Sequence, residues 1–156
     1  MPISVGTKAP DFTLKTKRGE DLKDIKLSDN FGKKKTILLF FPLAFTGVCT
    51  AEMCAFGDDF DAFASRDVAV LPISIDAVPS LKEFKAKHAM RVELASDFKR
   101  EVSRAYGTLI EERFFSTRAY FLIDKTGVLR WSFVEDTPGT RRENSEILAE
   151  IAKLGA

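Results

Sequence analysis

The sequence predicts an α/β sandwich, a mixed β-sheet flanked by helices, and three observations carry that expectation. Two continuous apolar runs, "TILLFF" (Thr36 to Phe41) and "DVAVLPISID" (Asp67 to Asp76), read as strands buried on both faces. Between and after them, apolar residues recur at steps of three and four, the helical period. Towards the C-terminus, "AYFLIDKTGVLRWSFV" is broken by a tight turn, which adds an antiparallel pair to the sheet. Residues 1–156 carry no repeat and no linker-like stretch, so one domain is expected.

Taken in order, "DFTLKTKRGEDLKDI" alternates around Gly19 and predicts an N-terminal β-hairpin from about Asp11 to Ile25. Met53, Phe56, Phe60 and Phe63 then predict one helix running through Ala64. After the second buried strand, a further helix is expected to open after Pro79. Ser80 and Glu83 there have the spacing of a capping box, and Leu81 and Phe84 share a face. In "ASDFKREVSRAYG", Ser96 and Asp97 are start signals and Gly107 a stop, giving a short helix. The turn from Asp124 to Gly127 joins the last two strands. Ile147, Leu148, Ile151 and Leu154 mark a closing helix.

Composition excludes several classes of function. With 24 basic and 23 acidic residues, the net charge of +1 gives no footing for nucleic acid or an anionic membrane surface. No apolar run reaches membrane-spanning length. The start, "MPISVGTKAP", lacks a basic segment followed by an apolar stretch, so no secretory signal is expected. Two cysteines are too few for a disulfide-stapled scaffold, and a cytoplasmic, reducing setting is the expectation. Most of the 14 phenylalanines read as core.

Both cysteines lie in "FPLAFTGVCTAEMC". Cys49 follows a buried strand and a short loop and sits where a helix begins. That first turn offers unpaired backbone N–H groups and the positive end of the helix dipole, which favour a thiolate, the nucleophilic form of cysteine. Thr46, three residues upstream, brings a hydroxyl near the sulfur and is also a helix-capping residue type. Pro42 fixes the strand exit without offering a donor. Glu52 lies one turn beyond Cys49 on the same face. A lone carboxylate there would work against the thiolate, so a cation must accompany it. Cys54 borders the apolar face of the same helix, and a buried cysteine often serves as a small hydrophobe.

Pro42, Thr46 and Cys49 have the P-x-x-x-T-x-x-C spacing of the peroxiredoxin active site, and Glu52 also matches. "STRAYFLIDKTGVL" resembles the peroxiredoxin segment in which an arginine precedes a strand ending in I-D, which places that arginine at Arg118. "VGTKAPDFTL", "ISIDAVPSLKEFK" and "SDFKREVSRAYG" extend the resemblance over nearly the whole chain. The resemblance implies a thioredoxin-like fold and a thiol-dependent peroxidase. In it the Cys49 thiolate attacks a hydroperoxide and becomes a sulfenic acid. Thr46, Arg118 and backbone N–H groups would bind the peroxide, and Glu52 would orient Arg118. No metal, flavin or haem is implied. "RRENSEILAEI", set on the family's last helix, puts a second site arginine at Arg142, with Arg141 its rival; otherwise such a pair is solvated charge.

The spacing of the two thiols is the open question. In an unbroken helix, Cα atoms five residues apart are about 8.7 Å distant, whereas a disulfide needs about 7 Å or less. The Q-type peroxiredoxins have a resolving cysteine at this spacing, and their helix melts to let it react. That resemblance implies a resolving role for Cys54. Gly47 and Val48, by contrast, stand where Q-type chains have proline and glycine, and "FPLAFTGVC" resembles the E-type alkyl hydroperoxide reductases, several of which use one cysteine. Cys54 as a resolving thiol and Cys54 as a core residue both stand. Expected partners are a hydroperoxide and a thioredoxin-like or other thiol reductant, with the chain a monomer or homodimer. The apolar Leu43, Ala44 and Phe45 suit either an alkyl hydroperoxide or a partner subunit.

Rival chemistries fit less well. A disulfide reductase would carry C-x-x-C. Two cysteines and His88 give at most three soft zinc ligands. One histidine far from the cysteines argues against a Cys–His enzyme. A peroxide-sensing relay protein remains the alternative outside catalysis, separated from an enzyme by turnover.

Overall fold

The computed structural model describes residues 2–18, 20–137 and 140–154. Strands β1 (Thr13–Arg18) and β2 (Asp21–Lys26) form the expected hairpin, from Thr13 opposite Lys26 to Arg18 opposite Asp21. The expected turn at Gly19 lies outside the described residues. A 3-10 turn (Leu27–Asn30) leads to β3 (Lys35–Phe40), every residue of which is buried. Helices α1 (Gly47–Asp58) and α2 (Phe60–Ala64) precede β4 (Val68–Ser74), which runs parallel to β3. Helix α3 (Val78–Lys87), β5 (Ala95–Ser96) and α4 (Glu101–Ala105) follow. Next come a small ribbon of β6 (Leu109–Ile110) and β7 (Phe115–Ser116), and the antiparallel pair β8 (Ala119–Ile123) and β9 (Leu129–Val134). Helix α5 (Asn144–Ala152) is the last element.

The sheet order is β2-β1-β5-β4-β3-β8-β9, mixed as expected. Side chains alternate across a strand, and β3 and β8 therefore serve two cores. Ile37, Leu39, Tyr120 and Leu122 face a cluster with Met53, Phe56, Phe63, Leu81, Phe84, Ile147 and Ile151 from the helices. Leu38, Phe40, Phe121 and Ile123 face another with Phe12, Leu14, Val102 and Tyr106. Pro72 sits inside β4, where a missing N–H is costly if a neighbouring strand needs it. The Ile73 carbonyl faces β3, accepting from the Phe41 N–H at 3.0 Å. The Pro72 nitrogen therefore faces the β5 side, where pairing begins only at Ile73 opposite Ala95.

Three sequence expectations are corrected. The helix expected through Ala64 breaks at Asp59, whose carboxylate accepts Asn144 Nδ2 of α5 at 2.8 Å. The capping box at Ser80 does not form, because α3 already starts at Val78 with Pro79 in its first turn, so Ser80 is inside the helix. Ser96 belongs to β5. Asp97 does cap α4, but from a distance: its carboxylate accepts the Val102 and Ser103 N–H groups at 3.2 and 2.7 Å. The turn before β9 demands Gly127, with φ of +88° and a would-be Cβ only 2.8 Å from the Phe31 ring. Among the described residues no helix is long and apolar enough to cross a membrane.

Candidate active site

The chain leaves β3 through buried Phe41 and Pro42 and turns sharply at Phe45, whose φ is +65°. The loop is pinned from β4: Asp76 Oδ2 accepts the Ala44 N–H at 2.8 Å and the Ser74 hydroxyl at 2.7 Å. Exposed Phe45 packs at a tilt against Phe84 of α3, with ring centroids 4.9 Å apart. Thr46 then occupies the N-cap position of α1 with extended backbone, and its carbonyl accepts the Thr50 N–H at 2.9 Å. Its hydroxyl makes no cap bond; it donates to the Leu43 carbonyl at 2.8 Å. The oxygen keeps acceptor capacity at the mouth of the loop.

Cys49 follows in the first turn of α1, 1% exposed. Arg118 stands just before β8 and is likewise 1% exposed, an unusual state for an arginine unless it is paired. Its Nη2 lies 3.0 Å from Cys49 Sγ, and its Nη1 lies 2.5 Å from Glu52 Oε1. One guanidinium thus spans the thiol and the carboxylate one turn further along α1. The Arg118 carbonyl, accepting the Glu135 N–H at 2.9 Å, anchors the backbone that presents the side chain.

Glu52 is fully buried, and burial pushes its carboxyl above the usual range. The Arg118 charge opposes this most strongly, followed by the Tyr120 hydroxyl donated to Oε2 at 2.7 Å; the Arg141 charge adds to both. Burial works against the Arg118 charge too, but Glu52 and Cys49 outweigh it and hold the guanidinium above its ordinary value. The cation stays charged beside the sulfur. A developing thiolate is met by a fixed donor, as is charge growing on an attacked oxygen next to it.

Cys49, Glu52 and Arg118 therefore meet in the first turns of α1, with Thr46 at its N-cap and Pro42 buried in the loop that leads to it. Arg142 does not join them. Its guanidinium turns to Glu135 at 3.0 Å and Glu146 at 3.5 Å, beneath which lies the Phe133 ring. Of the neighbouring pair, Arg141 is the one whose charge reaches Glu52. Cys54 is half-buried against the α1 core, and α1 is continuous through both free cysteines. Tyr120 and Asp76 are the residues that the sequence reading passed over. Tyr120 had a signal: two residues after Arg118 in a strand, it shares that residue's face, and a buried tyrosine hydroxyl needs a partner.

A family model described as "AhpC/TSA family" matches residues 5–132. The "Alkyl hydroperoxide reductase E" of Mycobacterium tuberculosis is 35% identical, with 99% of each chain covered. The "2-Cys peroxiredoxin BAS1, chloroplastic" of Hordeum vulgare is 34% identical over 99% of this chain and 76% of that protein; the chain spans 60% of its Spinacia oleracea counterpart. The solved structure titled "Crystal Structure of Plasmodium vivax 2-Cys Peroxiredoxin, Reduced" superposes with a TM-score of 0.91 at 32% identity, covering 98% of this chain and 82% of that one. The fold of this chain is therefore thioredoxin-like, as the motifs implied. On the family match and the end-to-end likeness, the chain belongs to the AhpC/TSA family and is a peroxiredoxin, a thiol-dependent peroxidase.

Proposed function

We propose that the chain reduces hydrogen peroxide and organic hydroperoxides at Cys49, with Cys54 as the resolving thiol and a thioredoxin-like dithiol as the reductant. The observation that carries this reading is the buried Arg118 guanidinium held 3.0 Å from Cys49 Sγ. The thiolate sulfur attacks one peroxide oxygen. An S–O bond forms, the O–O bond breaks, and the leaving oxygen takes a proton to become water or an alcohol. Arg118 stabilises the charge as it passes from sulfur to oxygen, and the Thr46 hydroxyl and the backbone N–H groups at the start of α1 orient the peroxide. The Cys54 thiol then displaces hydroxide from the sulfenic acid, releasing water and forming a disulfide that the external dithiol reduces. This reading takes the working form to be a monomer or homodimer in the cytoplasm, where a reducing pool keeps both thiols free.

A one-cysteine reading is favoured by a single feature, the packing of Cys54 against the α1 core. Intact mass of the reduced protein, quenched after one equivalent of hydrogen peroxide, separates the two. The expected result is loss of two hydrogens on a monomer, the Cys49–Cys54 disulfide. Gain of one oxygen would assign Cys54 to the core, and an unchanged mass would remove the peroxidase reading.

Because α1 is continuous, the disulfide requires it to unwind. A Cβ at Gly57 would meet only the Arg91 backbone nitrogen, at an ordinary 3.9 Å. Gly57→Ala is then tolerated and strengthens the helix by about 1 kcal/mol. Disulfide formation is expected to slow about fivefold, while the preceding oxidation of Cys49 keeps its rate. Rapid quench followed by mass measurement reads both steps, and an unchanged disulfide rate would place the melting wholly before Gly57.

A further inference from the structure

We propose that Tyr120 is a positioning residue of the peroxide reaction: its hydroxyl fixes Glu52, and through Glu52 the aim of Arg118 at Cys49. This rests on the reading of Cys49 as the peroxide-reducing thiol.

The direction of the hydrogen bonds follows from what each group can do. The Arg142 backbone N–H can only donate, and it lies 2.7 Å from Tyr120 Oη. The phenol oxygen therefore accepts there, and its own proton is left for Glu52 Oε2, also at 2.7 Å. The other carboxylate oxygen, Oε1, takes the Arg118 Nη1 donor, while Arg118 Nη2 faces the sulfur. A one-way series of donors thus runs from the backbone ahead of α5 through Tyr120 to the carboxylate, and the carboxylate holds the guanidinium. Tyr120 and Glu52 are both fully buried, so no water competes for these bonds. In such surroundings a carboxylate with one oxygen unpartnered is free to rotate and to take up a proton. Either change loosens Nη1 and swings Nη2 off the thiol. The other charges facing this group do not replace a directed donor. Arg141 acts on Glu52 through its field, and Glu135, which faces Tyr120, is occupied by Arg142.

The test compares two electrophiles on the reduced chain of residues 1–156. Tyr120→Phe keeps the ring, which packs 6.4 Å from that of Trp131, and removes only the hydroxyl. Hydrogen peroxide needs Arg118, because charge builds on a leaving oxygen. Iodoacetamide, used on the plateau of its pH profile where Cys49 is fully thiolate, does not, because its attack by the thiolate expels iodide. The rate constant with peroxide is expected to fall about tenfold, the loss of one hydrogen bond to a charged group, while alkylation at the same pH stays within about twofold of wild type. Introducing para-aminophenylalanine at position 120 returns a donor to the same place and is expected to restore most of the peroxide rate. That variant also carries the test if the phenylalanine chain does not fold. Equal falls with both electrophiles, an unchanged peroxide constant, or a para-amino variant as slow as Tyr120→Phe would overturn the assignment. Wild type run alongside keeps the outcomes distinct: if it fails to react with peroxide, the peroxidase reading fails, and if only the ratio is unmoved, Tyr120 alone loses its role.

Discussion

Replacing Arg118 by methionine is expected to lower the rate of Cys49 oxidation by hydrogen peroxide about a hundredfold or more, the loss of a preorganised donor aimed at developing charge. Methionine follows a similar path through the core but offers nothing to Sγ or to Glu52. Two costs then appear together. The reacting oxygen loses the group that stabilises its charge, and Glu52 is left as a buried carboxylate without its cation. Removing one partner of a buried pair destabilises a fold by roughly 3–5 kcal/mol, so the thermal midpoint falls as well. The two effects separate in a Glu52→Gln background, where no carboxylate is stranded. There the stability loss on adding Arg118→Met shrinks while the rate loss persists. Stopped-flow mixing of the reduced chain with peroxide reads the rate. An unchanged constant in a folded Arg118→Met chain would take Arg118 out of the reaction.

The contacts of Arg118 with Cys49 and Glu52 are set by the fold, whereas the residues that make them are legible in the sequence. Cys49, Thr46, Glu52 and Pro42 are separated by a few residues, and local spacing places them on one loop and one helix face. Arg118 is 69 positions from Cys49, and only the resemblance of its flanking strand brought it to the site. Tyr120 was reachable by alternation from Arg118, because a strand carries every second side chain to one face. The choice between Arg141 and Arg142 was not reachable. Adjacent residues point apart, and a shift of one exchanges them. The Arg142 N–H is fixed by the Tyr120 hydroxyl and its side chain by Glu135, contacts that the local sequence does not reveal.

The elements followed the same logic. β3 and β4 are legible as apolar runs that burial on both faces requires, and the β8–β9 pair as two strand-like segments joined by the turn from Asp124 to Gly127. The short β5, β6 and β7 carry only two residues each, too few for any period to register. The break at Asp59 accompanies a partner 85 positions away, Asn144, and the capping box fails because α3 starts at Val78, earlier than Ser80 signalled. Local signals located the elements, and contacts distant in sequence set their ends.

Replacing Cys54 by serine is the second change with a large expected effect, and it acts on a different step. The first oxidation should keep its rate within about twofold, because Cys54 packs against the apolar core cluster and serine is nearly isosteric. What changes is the fate of the sulfenic acid. On the proposed two-cysteine route, the Cys54 thiol five residues along the same helix reaches the sulfenic acid when α1 unwinds. With a serine hydroxyl in its place no internal disulfide forms, and steady-state turnover with thioredoxin should drop by at least about tenfold. The stranded sulfenic acid then meets further peroxide and accumulates as sulfinic acid, visible as two added oxygens in the intact mass. Full turnover in Cys54→Ser would mean that an external thiol reaches Cys49 directly, so this residue, 1% exposed in the structure, would have to be uncovered. The cover over Cys49 must therefore move in either case. Cys54 decides only which thiol arrives when it does.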